Sequence, residues 1–396
     1  MIASSEAERI IKKHLLKLDV ETVPLEQSLG RILAEDIIAD RDIPPCNRST
    51  MDGIAIKYST ALHNETFEIK NIQAAGDRPV KIVEKGQCIQ VMTGACVPKG
   101  LDTVIPIEEV KIVANQAKVL QKDAKIGQFI HLAGSDKQKN SQLVLKGTEV
   151  SSSVIAIAAT VGKSKLKVVK PPKTLIVTTG DEVIQVKNNP KTYHIRRSND
   201  LMLTSILSRF FIKPEVVHLS DNKQILKKVL KPAVLKYELI IMSGGVSKGE
   251  FDFIPQVLAE LSVSKHFHGV KQKPGKPLWF GSHKRGATVF ALPGNPVSSY
   301  LCAVKYLNPY LRDSYGVKHV EPIYALLPQD ISFTSKLTYF ARVKLSTSNK
   351  GQIIATPVKD NGSGDIVSLL SADGFIELPA NKSTFKKGET YKIILL

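Results

Sequence analysis

The sequence predicts a multi-domain protein of the α/β and β classes, in which one doubly wound α/β domain is flanked by β-rich regions. A length of 396 residues fits about two to four domains at the ~150 residues that are typical of one domain. Apolar runs alternate with helical patterns over residues 171–318, which is typical of a mostly parallel sheet. On both sides of that segment, glycine and proline separate short β-like runs, which indicate β domains.

The first 170 residues predict two regions. Residues 1–50 and 137–170 form an N-terminal helix with an extended linker domain, and residues 51–136 form a small inserted β domain. A capping box from Ser5 to Glu8, followed by apolar residues at helical spacing, predicts that the opening helix reaches about Leu18. The stretch from about Ser141 to Val169 is expected to be extended.

The pattern of apolar residues changes at Pro171 and Pro172, where the predicted α/β domain of residues 171–318 begins. Its predicted strands are Thr174–Thr178, Glu215–Leu219, Leu239–Met242 and Thr288–Leu292. Its predicted helices are Asn199–Phe211, Asp221–Leu235, Phe253–Leu261 and Pro296–Leu311. Short strands return after it, so residues 319–396 are expected to form a C-terminal β domain that resembles a barrel.

Composition indicates a soluble protein, with 43% hydrophobic and 23% charged residues. No apolar stretch approaches the ~18 residues of a membrane helix, and the N-terminus does not resemble a signal peptide. The expected location is cytoplasmic, without membrane contact. The cysteines at positions 46, 88, 96 and 302 form no CxxC pair, so we expect free thiols in a reducing compartment.

The net charge of +18, from 55 basic and 37 acidic residues, favours anionic ligands. The basic residues are dispersed, and the sequence has neither zinc-finger spacing nor an aromatic ribonucleoprotein signature. We therefore expect no nucleic-acid partner. A lysine-rich composition without any ligand explains the charge equally well, so charge alone does not identify what binds.

Glycine stands beside hydroxyl or carboxylate groups where three predicted strands end, in the segments Thr179–Glu182, Ser243–Asp252 and Pro293–Ser299. In an open α/β sheet, ligands bind beyond the carboxyl ends of the strands. Glycine lets a ligand approach the backbone closely, and the N–H groups at the helix start that follows attract phosphate. Any tight turn between a strand and a helix needs glycine, but three such turns on one sheet edge favour a binding site.

Charged side chains add to this pattern. The loop Lys271–Pro277 holds Lys273 and Lys276 on a backbone stiffened by two prolines, which favours an anion site over a solvated loop. It is not a Walker loop, because its glycine and lysine lack that spacing. Turns that contain glycine or serine carry carboxylates that would suit Mg²⁺ and a pyrophosphate group: Asp52, Asp136, Glu182 and Asp252. Aspartate is also common in turns for local hydrogen bonding alone.

A series of motifs follows in the order of one known family. The motifs are Asn47–Ala55, Met92–Ala95, Gly134–Asp136, Thr179–Glu182, Ser198–Asn199, Ser243–Asp252, Lys273–Pro277 and Leu292–Ser298. Together they resemble the molybdopterin molybdenumtransferases, which are related to the E domain of gephyrin, and the resemblance covers essentially the whole chain. It implies a molybdopterin-binding α/β domain within four-domain subunits that form an elongated homodimer.

The resemblance also implies a reaction. Adenylyl-molybdopterin and molybdate are the substrates, Mg²⁺ is the cofactor, the pyrophosphate is cleaved, and AMP is released with molybdenum left on the dithiolene. Possible partners are molybdopterin adenylyltransferase and the molybdoenzymes or carrier proteins that accept the cofactor. A non-catalytic molybdopterin-binding scaffold and a molybdopterin adenylyltransferase are the alternative functions. The retained carboxylates and lysines disfavour the first, and the β domains on both sides disfavour the second.

Position in the motifs assigns expected roles. The residues implied in catalysis and in metal binding are Asp52, Glu182 and Asp252. The residues implied in substrate binding are Thr93, Asp136, Ser243, Gly244, Gly245, Lys273, Lys276, Pro277, Ser298, Arg342 and Ser368. The chain departs from the family pattern at Asn47, where aspartate is usual, at Ile54, where tyrosine is usual, and at Asp200, where a basic residue is common. These departures bear on substrate affinity more than on function, and the preference for molybdate or tungstate is open.

Overall fold

A computed structural model describes residues 1–61, 66–80, 84–246, 253–317 and 321–396. The chain forms two compact units. The first unit comprises Met1–Ala34, Gly147–Ser151 and Leu166–Leu396, and the second comprises Glu35–Lys146 and Ser152–Lys165. The α-helices are α1 Ser4–Ile11, α2 Tyr58–Ala61, α3 Ser152–Thr160, α4 Asn199–Ser208, α5 Lys223–Lys236, α6 Ile254–Glu260, α7 Pro296–Cys302 and α8 Asn308–Ser314. None of these described helices is long and apolar enough to cross a membrane.

The second unit is built on a six-stranded sheet, which confirms the small β domain near the N-terminus. Its strands are β1 Gly53–Ile56, β2 Thr66–Gln73, β3 Gln87–Val91, β4 Thr103–Pro106, β5 Val110–Val113 and β6 Gln116–Val119. Their order is β4-β1-β3-β2-β6-β5, and every pair except the parallel β2–β3 is antiparallel. Ile54, Phe67 and Cys88 are fully buried between these strands, where alternate residues face the core.

Two predictions for the second unit are wrong. Residues 152–160 are helical, not extended, because burial of Val154 and Ala158 on one helix face outweighs the strand propensity of the β-branched residues. The second correction concerns the thiols. Cys46 and Cys96 form a disulfide with their Cα atoms 5.8 Å apart, while Cys88 and Cys302 are free and buried. The bonded pair is 50 residues apart in the sequence, so no local spacing signals it.

The first unit contains the expected α/β sheet. Its strands are β7 Thr174–Thr179, β8 Glu215–Leu219, β9 Leu239–Ser243, β10 Val263–His268, β11 Trp279–His283 and β12 Thr288–Leu292. They lie in the order β8-β7-β9-β12-β11-β10, in which the first four strands are parallel and β11 is antiparallel to both of its neighbours, β12 and β10. The doubly wound, mostly parallel sheet is therefore confirmed, although the sequence pattern did not reveal β10 and β11.

Helices cover both faces of this sheet. Ile176 packs in one cluster with Leu203 of α4, whereas its neighbour Val177 packs in another with Leu230 of α5. Successive strand residues point to opposite faces, so burial on both faces explains the near-continuous apolar runs of the sequence. The chain order reverses between β7 and β9, which is the position where open α/β sheets bind ligands.

The C-terminal part of the first unit is a closed barrel, which confirms the barrel-like β domain. Its strands are β13 Ile323–Leu326, β14 Thr338–Thr347, β15 Ile353–Pro357, β16 Gly374–Leu378 and β17 Thr390–Leu395. They close in the ring β14-β15-β13-β17-β16, and β16 pairs back onto β14. The short strand Gln272–Lys273 of the α/β domain adds to the edge of β14 in parallel register.

The opening helix is shorter than predicted. It ends at Ile11, its N-cap is Ala3, and no side chain caps it, so the capping box from Ser5 to Glu8 is wrong. Ser4 turns inward instead and shares a hydrogen bond of 3.0 Å with the Tyr306 hydroxyl. The backbone of Ile2 bonds to Gly269 and Lys271, so the N-terminus is tied to the segment that leads into the lysine loop.

Candidate active site

A cavity of about 1190 Å³ opens in the first unit at the carboxyl ends of β7, β9 and β12. Its α/β wall consists of the turns after these strands, the N-terminus of α4 and the loop 272–277. The opposite wall belongs to the barrel and includes residues of β14 and of the segment 360–366. The turns predicted to form a binding edge therefore do meet around one cavity.

The turn after β9 needs its two glycines. Gly244 and Gly245 have φ angles of +99° and +63°, which side chains rarely adopt. A Cβ on Gly244 would also lie 2.8 Å from the Thr179 hydroxyl oxygen, and one on Gly245 would lie 2.9 Å from Ile254. The two strand ends thus approach each other more closely than any side chain would allow, and backbone is left to line the cavity.

Asn199, at the start of α4, ties two strand ends together. Its side-chain amide donates to the Ser243 hydroxyl at 2.9 Å and to the Gly294 carbonyl at 2.7 Å. Its own Oδ1 atom is buried and has no hydrogen-bond partner among the described residues. Ser243 is therefore a well-fixed hydroxyl at the cavity floor, and Asn199 is the residue that fixes it.

Carboxylates cluster at one end of the cavity, where Glu182 and Asp221 both line the wall. Burial raises the pKa of Asp221 above its usual value, and the carboxylates of Asp181 and Glu182 raise it further. This mutual repulsion is what a cation between carboxylates would relieve. No group of three or more metal-ligating side chains is found within the described part of the chain.

A buried glutamine fixes the lysine loop. Gln272 is fully buried and donates to the Pro274 carbonyl at 3.1 Å, while its oxygen accepts from the Tyr306 hydroxyl. Gly275 has a φ of +87°, and a Cβ there would lie 2.7 Å from the Cys302 sulfur. The loop backbone is therefore held from beneath, and the two exposed lysines that it carries, Lys273 and Lys276, both line the cavity.

The two lysines have different surroundings. The Lys273 ammonium lies 5.6 Å from the centroid of the Phe333 ring, within reach of a cation–π contact. Ser298, in the first turn of α7, lines the same cavity and is almost buried. The expectation that the start of α7 offers free N–H groups holds only in part, because Val297 N–H already donates to the Ser363 carbonyl at 3.1 Å.

On the barrel wall, Arg342 is buried and bonded to its own domain. It pairs with Asp360 and donates to the Ser368 hydroxyl at 2.6 Å and to the carbonyls of Gly362 and Asp365 at 3.1 and 3.2 Å. Ser368 in turn donates to the Asp365 carbonyl and is not among the residues that line the cavity. Arg342 and Ser368 therefore form one hydrogen-bonded group that shapes the segment 360–366.

The other predicted residues belong to the second unit. Asp52 accepts from both the backbone N–H and the hydroxyl of Thr93, at 2.6 and 2.7 Å. These bonds hold the pKa of the Asp52 carboxyl below its usual value. The structure thus joins Asp52 and Thr93 into a preorganised carboxylate, with Gly53 behind it where a Cβ would lie 1.9 Å from the Ile105 carbonyl.

Asp136 is placed separately, with its carboxylate 2.8 Å from the His131 imidazole. Asn47 accepts from the Ala133 backbone N–H at 2.9 Å, so its amide oxygen serves the same loop as a structural acceptor. Asp252, the remaining predicted catalytic residue, lies outside the described residues. Most of the described site predictions thus line one cavity in the first unit, whereas the pair Asp52–Thr93 and, separately, Asp136 belong to the second unit.

Comparison with known proteins decides the family. The model of the MoeA N-terminal region (domains I and II) matches residues 2–162, that of the probable molybdopterin binding domain matches 175–313, and that of the MoeA C-terminal region (domain IV) matches 324–396. A molybdopterin molybdenumtransferase of Synechocystis is 38% identical over 395 residues, with 99% of each chain covered. The chain belongs to the molybdopterin molybdenumtransferase family.

Other relatives agree with this family. The Bacillus subtilis molybdopterin molybdenumtransferase is 31% identical and covers 96% of this chain, with 90% of its own length matched. The crystal structure of a molybdopterin biosynthesis MoeA protein from Pyrococcus horikoshii superimposes with a TM-score of 0.87 at 28% identity, over 100% of this chain and 99% of that one. As a molybdopterin molybdenumtransferase family member, the chain is a transferase of molybdenum cofactor biosynthesis.

For this molybdenumtransferase, three features of the cavity escaped sequence reasoning. Asp221 follows β8, whose end carries no glycine signal. Gln272 reads as one more polar loop residue, and nothing local shows that it is buried. Arg197 and Asp200 pair across one helix start, at 2.6 Å. Asp200 could have been suspected, because it stands where a basic residue is common in the family.

Proposed function

We propose that the chain inserts molybdate into adenylyl-molybdopterin, with cleavage of the pyrophosphate and release of AMP. The observation that carries this proposal is the lysine loop that borders the cavity. Two ammonium groups, Lys273 and Lys276, border the cavity on a backbone that the buried Gln272 holds in place. Such a site suits a tetrahedral dianion, because positive charge and hydrogen-bond donors are fixed before the ligand arrives.

The remaining cavity residues suit the phosphate-bearing substrate. Backbone at Gly244 and Gly245 lies open to a ligand, and the Ser243 hydroxyl is oriented by Asn199. α4 begins at this edge, and the positive end of its dipole favours an anion there. In the proposed reaction these groups hold the pyrophosphate still, and the lysine loop places molybdate beside the dithiolene.

Mg²⁺ fits the carboxylate end of the cavity. Mg²⁺ prefers one or two carboxylates together with phosphate oxygens and water, and Glu182 and Asp221 supply two carboxylates with an unrelieved mutual repulsion. When bound, the ion would neutralise charge on the pyrophosphate as AMP departs. We include Glu182 and Asp52 in the catalytic set, the latter as a carboxylate kept ionised by Thr93.

The test is a measurement of AMP release by purified protein supplied with adenylyl-molybdopterin, Mg²⁺ and molybdate. AMP release that depends on molybdate supports the proposal, and AMP release that is indifferent to molybdate contradicts it. Asp52→Ala and Glu182→Ala should each slow the reaction by more than about tenfold with little effect on folding, since both side chains are polar and lie in turns. A fully active variant of either kind would mean that the residue is wrongly assigned.

We further propose that the enzyme is a symmetric homodimer that buries more than the ~1,600 Å² of a standard interface. Light scattering at micromolar concentration should give twice the mass of the chain. A monomeric preparation that still releases AMP in response to molybdate would refute the dimer without refuting the reaction.

A further inference from the structure

Three arginines line the cavity, Arg196 and Arg197 on the α/β wall and Arg342 on the barrel wall, and they differ in what they can still bind. Arg196 is exposed, and its Nε–H donates to the Asn188 carbonyl at 3.1 Å. Arg342 on the barrel wall has a side chain that is 5% exposed and donates to four partners of its own domain. A guanidinium has five N–H donors, so few of the Arg342 donors remain. Arg342 has little capacity left for a ligand.

Arg197 on the α/β wall is different. Its side chain is 24% exposed, and it donates to Asp200 Oδ2 at 2.6 Å. No other hydrogen bond of this guanidinium is found within the described ranges of the chain. Most of its donors are therefore free, and they belong to a side chain that lines the same cavity as Lys273 and Lys276.

Both partners of this pair are held in place. The Arg197 backbone N–H donates to the Ile184 carbonyl at 2.9 Å, in the same two-stranded ribbon in which Ile195 N–H donates to the Glu182 carbonyl at 3.0 Å. Asp200 lies in the first turn of α4 and is only 1% exposed. Because the buried Asp200 carboxylate binds one nitrogen of the guanidinium, it restricts the orientation of the remaining N–H donors.

The position of the charge also favours an anion. Arg197 stands immediately before Ser198, the N-cap of α4, where the helix dipole already contributes positive potential. One carboxylate, Asp200, offsets part of this charge. A phosphate group would suit the free donors of Arg197, because a guanidinium fork matches two phosphate oxygens.

We propose that Arg197 binds a phosphate group of the substrate, and that Asp200 is the positioning residue that aims its guanidinium into the cavity. The identity of the natural ligand, a phosphate of adenylyl-molybdopterin, rests on the proposed function. The chemistry does not: a phosphoryl group is bound through a fixed guanidinium fork that is separate from the lysine loop.

The experiment is calorimetric titration of the full-length protein with inorganic pyrophosphate and, separately, with molybdate, in buffer without divalent cations. Arg197→Met should weaken pyrophosphate binding about tenfold to hundredfold, the loss expected for one charge-assisted contact. The pyrophosphate affinity of Arg197→Lys should fall between those of the parent and of Arg197→Met, because an ammonium keeps the charge but not the fork. The matched control is Arg285→Met, an exposed arginine that does not line the cavity.

The proposal is overturned if Arg197→Met binds pyrophosphate within about twofold of the parent, or if it behaves like Arg285→Met. It is also overturned if molybdate binding weakens by the same factor, because the effect would then be unselective electrostatics. No turnover is measured, so these outcomes stand apart from whether AMP release responds to molybdate.

Asp200 is tested through a double-mutant cycle. If Asp200 acts through Arg197, Asp200→Asn should weaken pyrophosphate binding severalfold in the parent and cause no further loss when Arg197 is already methionine. Equal losses in both backgrounds would show that Asp200 acts on the fold alone and would overturn its positioning role. The Arg197 variants test the binding role even if Asp200→Asn folds poorly, because Arg197 itself is only half-buried.

Discussion

The polar groups on the two walls of the cavity differ in how many hydrogen-bond partners they have within the protein. The α/β wall carries exposed lysines, an arginine with spare donors and amide and carboxylate oxygens without partners. The barrel wall buries its arginine and bonds it to Asp360, Ser368 and the backbone of the segment 360–366. Unmade hydrogen bonds cost free energy in a folded protein, so the spare donors of the α/β wall favour an anionic ligand, whereas those of the barrel wall are already used.

This difference separates binding from scaffolding. A group whose partners lie within the protein contributes to stability, and its loss should appear in unfolding experiments. A group whose partner is the ligand contributes to affinity, and its loss should leave stability almost unchanged. The family resemblance implies that Arg342 binds substrate, whereas the contacts of Arg342 assign it to the groups that stabilise the protein. Variants of the two walls can separate these interpretations.

The largest expected effect is on stability. Arg342→Met should lower the free energy of unfolding by about 3 kcal/mol or more, because it leaves Asp360 without its cation and removes three further bonds. Urea denaturation followed by circular dichroism measures this loss. Arg342→Lys should recover little of it, since an ammonium cannot reach four acceptors in different directions.

The matched control for Arg342 is Arg31→Met. Arg31 is also buried, pairs with Glu21 and bonds to the Val169 carbonyl at 2.9 Å, and it does not line the cavity. We expect both variants to be destabilised, with Arg31→Met keeping the parent's response to molybdate. If Arg342→Met unfolds at the parent's urea concentration, Arg342 is a ligand-binding residue and the contrast between the walls fails.

Sequence reasoning was accurate for the α/β wall for a physical reason. A parallel strand buried on both faces reads as an apolar run, and the chain must turn sharply where it ends. The glycines at 180, 244 and 294 mark those turns, and the sheet brings the turns to one edge. The glycine signals and the sheet topology indicate the same edge, so the strand-end turns that line the cavity could be predicted from the sequence.

What the sequence could not show depends on contacts between distant residues. Gln272 can hold the lysine loop only because Tyr306 and the loop carbonyls surround it, and Cys46 is bonded to Cys96 across 50 residues. The helix Ser152–Thr160 was missed because its β-branched residues favour a strand until burial of one face decides. Arg197 was missed because only the fold reveals that its partner Asp200 is buried.

The next effect is on affinity. Lys276→Met keeps most of the side chain's packing and removes its charge. The molybdate concentration needed for half-maximal AMP release should rise about tenfold to hundredfold, the cost of one charge-assisted contact, with the free energy of unfolding within about 0.5 kcal/mol of the parent. Lys350→Met is the control, because Lys350 is exposed on a hairpin of the barrel and does not line the cavity. Identical behaviour of the two variants would make the loop a solvated turn.

A smaller effect on the molybdate requirement is expected from Tyr306, which supports the lysine loop through Gln272. Tyr306→Phe removes the hydroxyl that donates a hydrogen bond to Gln272 and is also hydrogen-bonded to Ser4. The loss should lower the free energy of unfolding by about 1–2 kcal/mol. The loosened loop should raise the molybdate requirement severalfold. Tyr315→Phe is matched to it, since that buried hydroxyl donates to the Phe210 carbonyl at 2.8 Å and does not line the cavity. An equal molybdate requirement in both variants would leave Gln272 without a role in binding.

The smallest effect concerns an exposed ion pair, which shows what pairing is worth where water remains. Glu260, the last residue of α6, lies 2.7 Å from each of Lys223 and Lys227 on α5, and these lysines lower the pKa of its carboxyl to about 2. A carboxyl whose pKa is lowered in the folded state stabilises the protein above the unfolded pKa, and this contribution disappears as the pH falls towards 2. The difference in stability between the parent and Glu260→Gln should therefore be largest above a pH of about 4.5 and shrink below it.

Salt distinguishes this exposed pair from the buried one. Screening acts on charges in contact with water, so 0.5 M sodium chloride should remove most of the Glu260→Gln difference at pH 7. The loss caused by Arg342→Met should persist at the same salt concentration, because that guanidinium is 5% exposed and its partners are fixed carbonyl and hydroxyl groups as well as a carboxylate. Urea midpoints at low and high salt for both variants give the comparison directly. If both losses are screened alike, the barrel wall is as open to water as the surface of α5, and its groups would be as free to meet a ligand as those of the α/β wall.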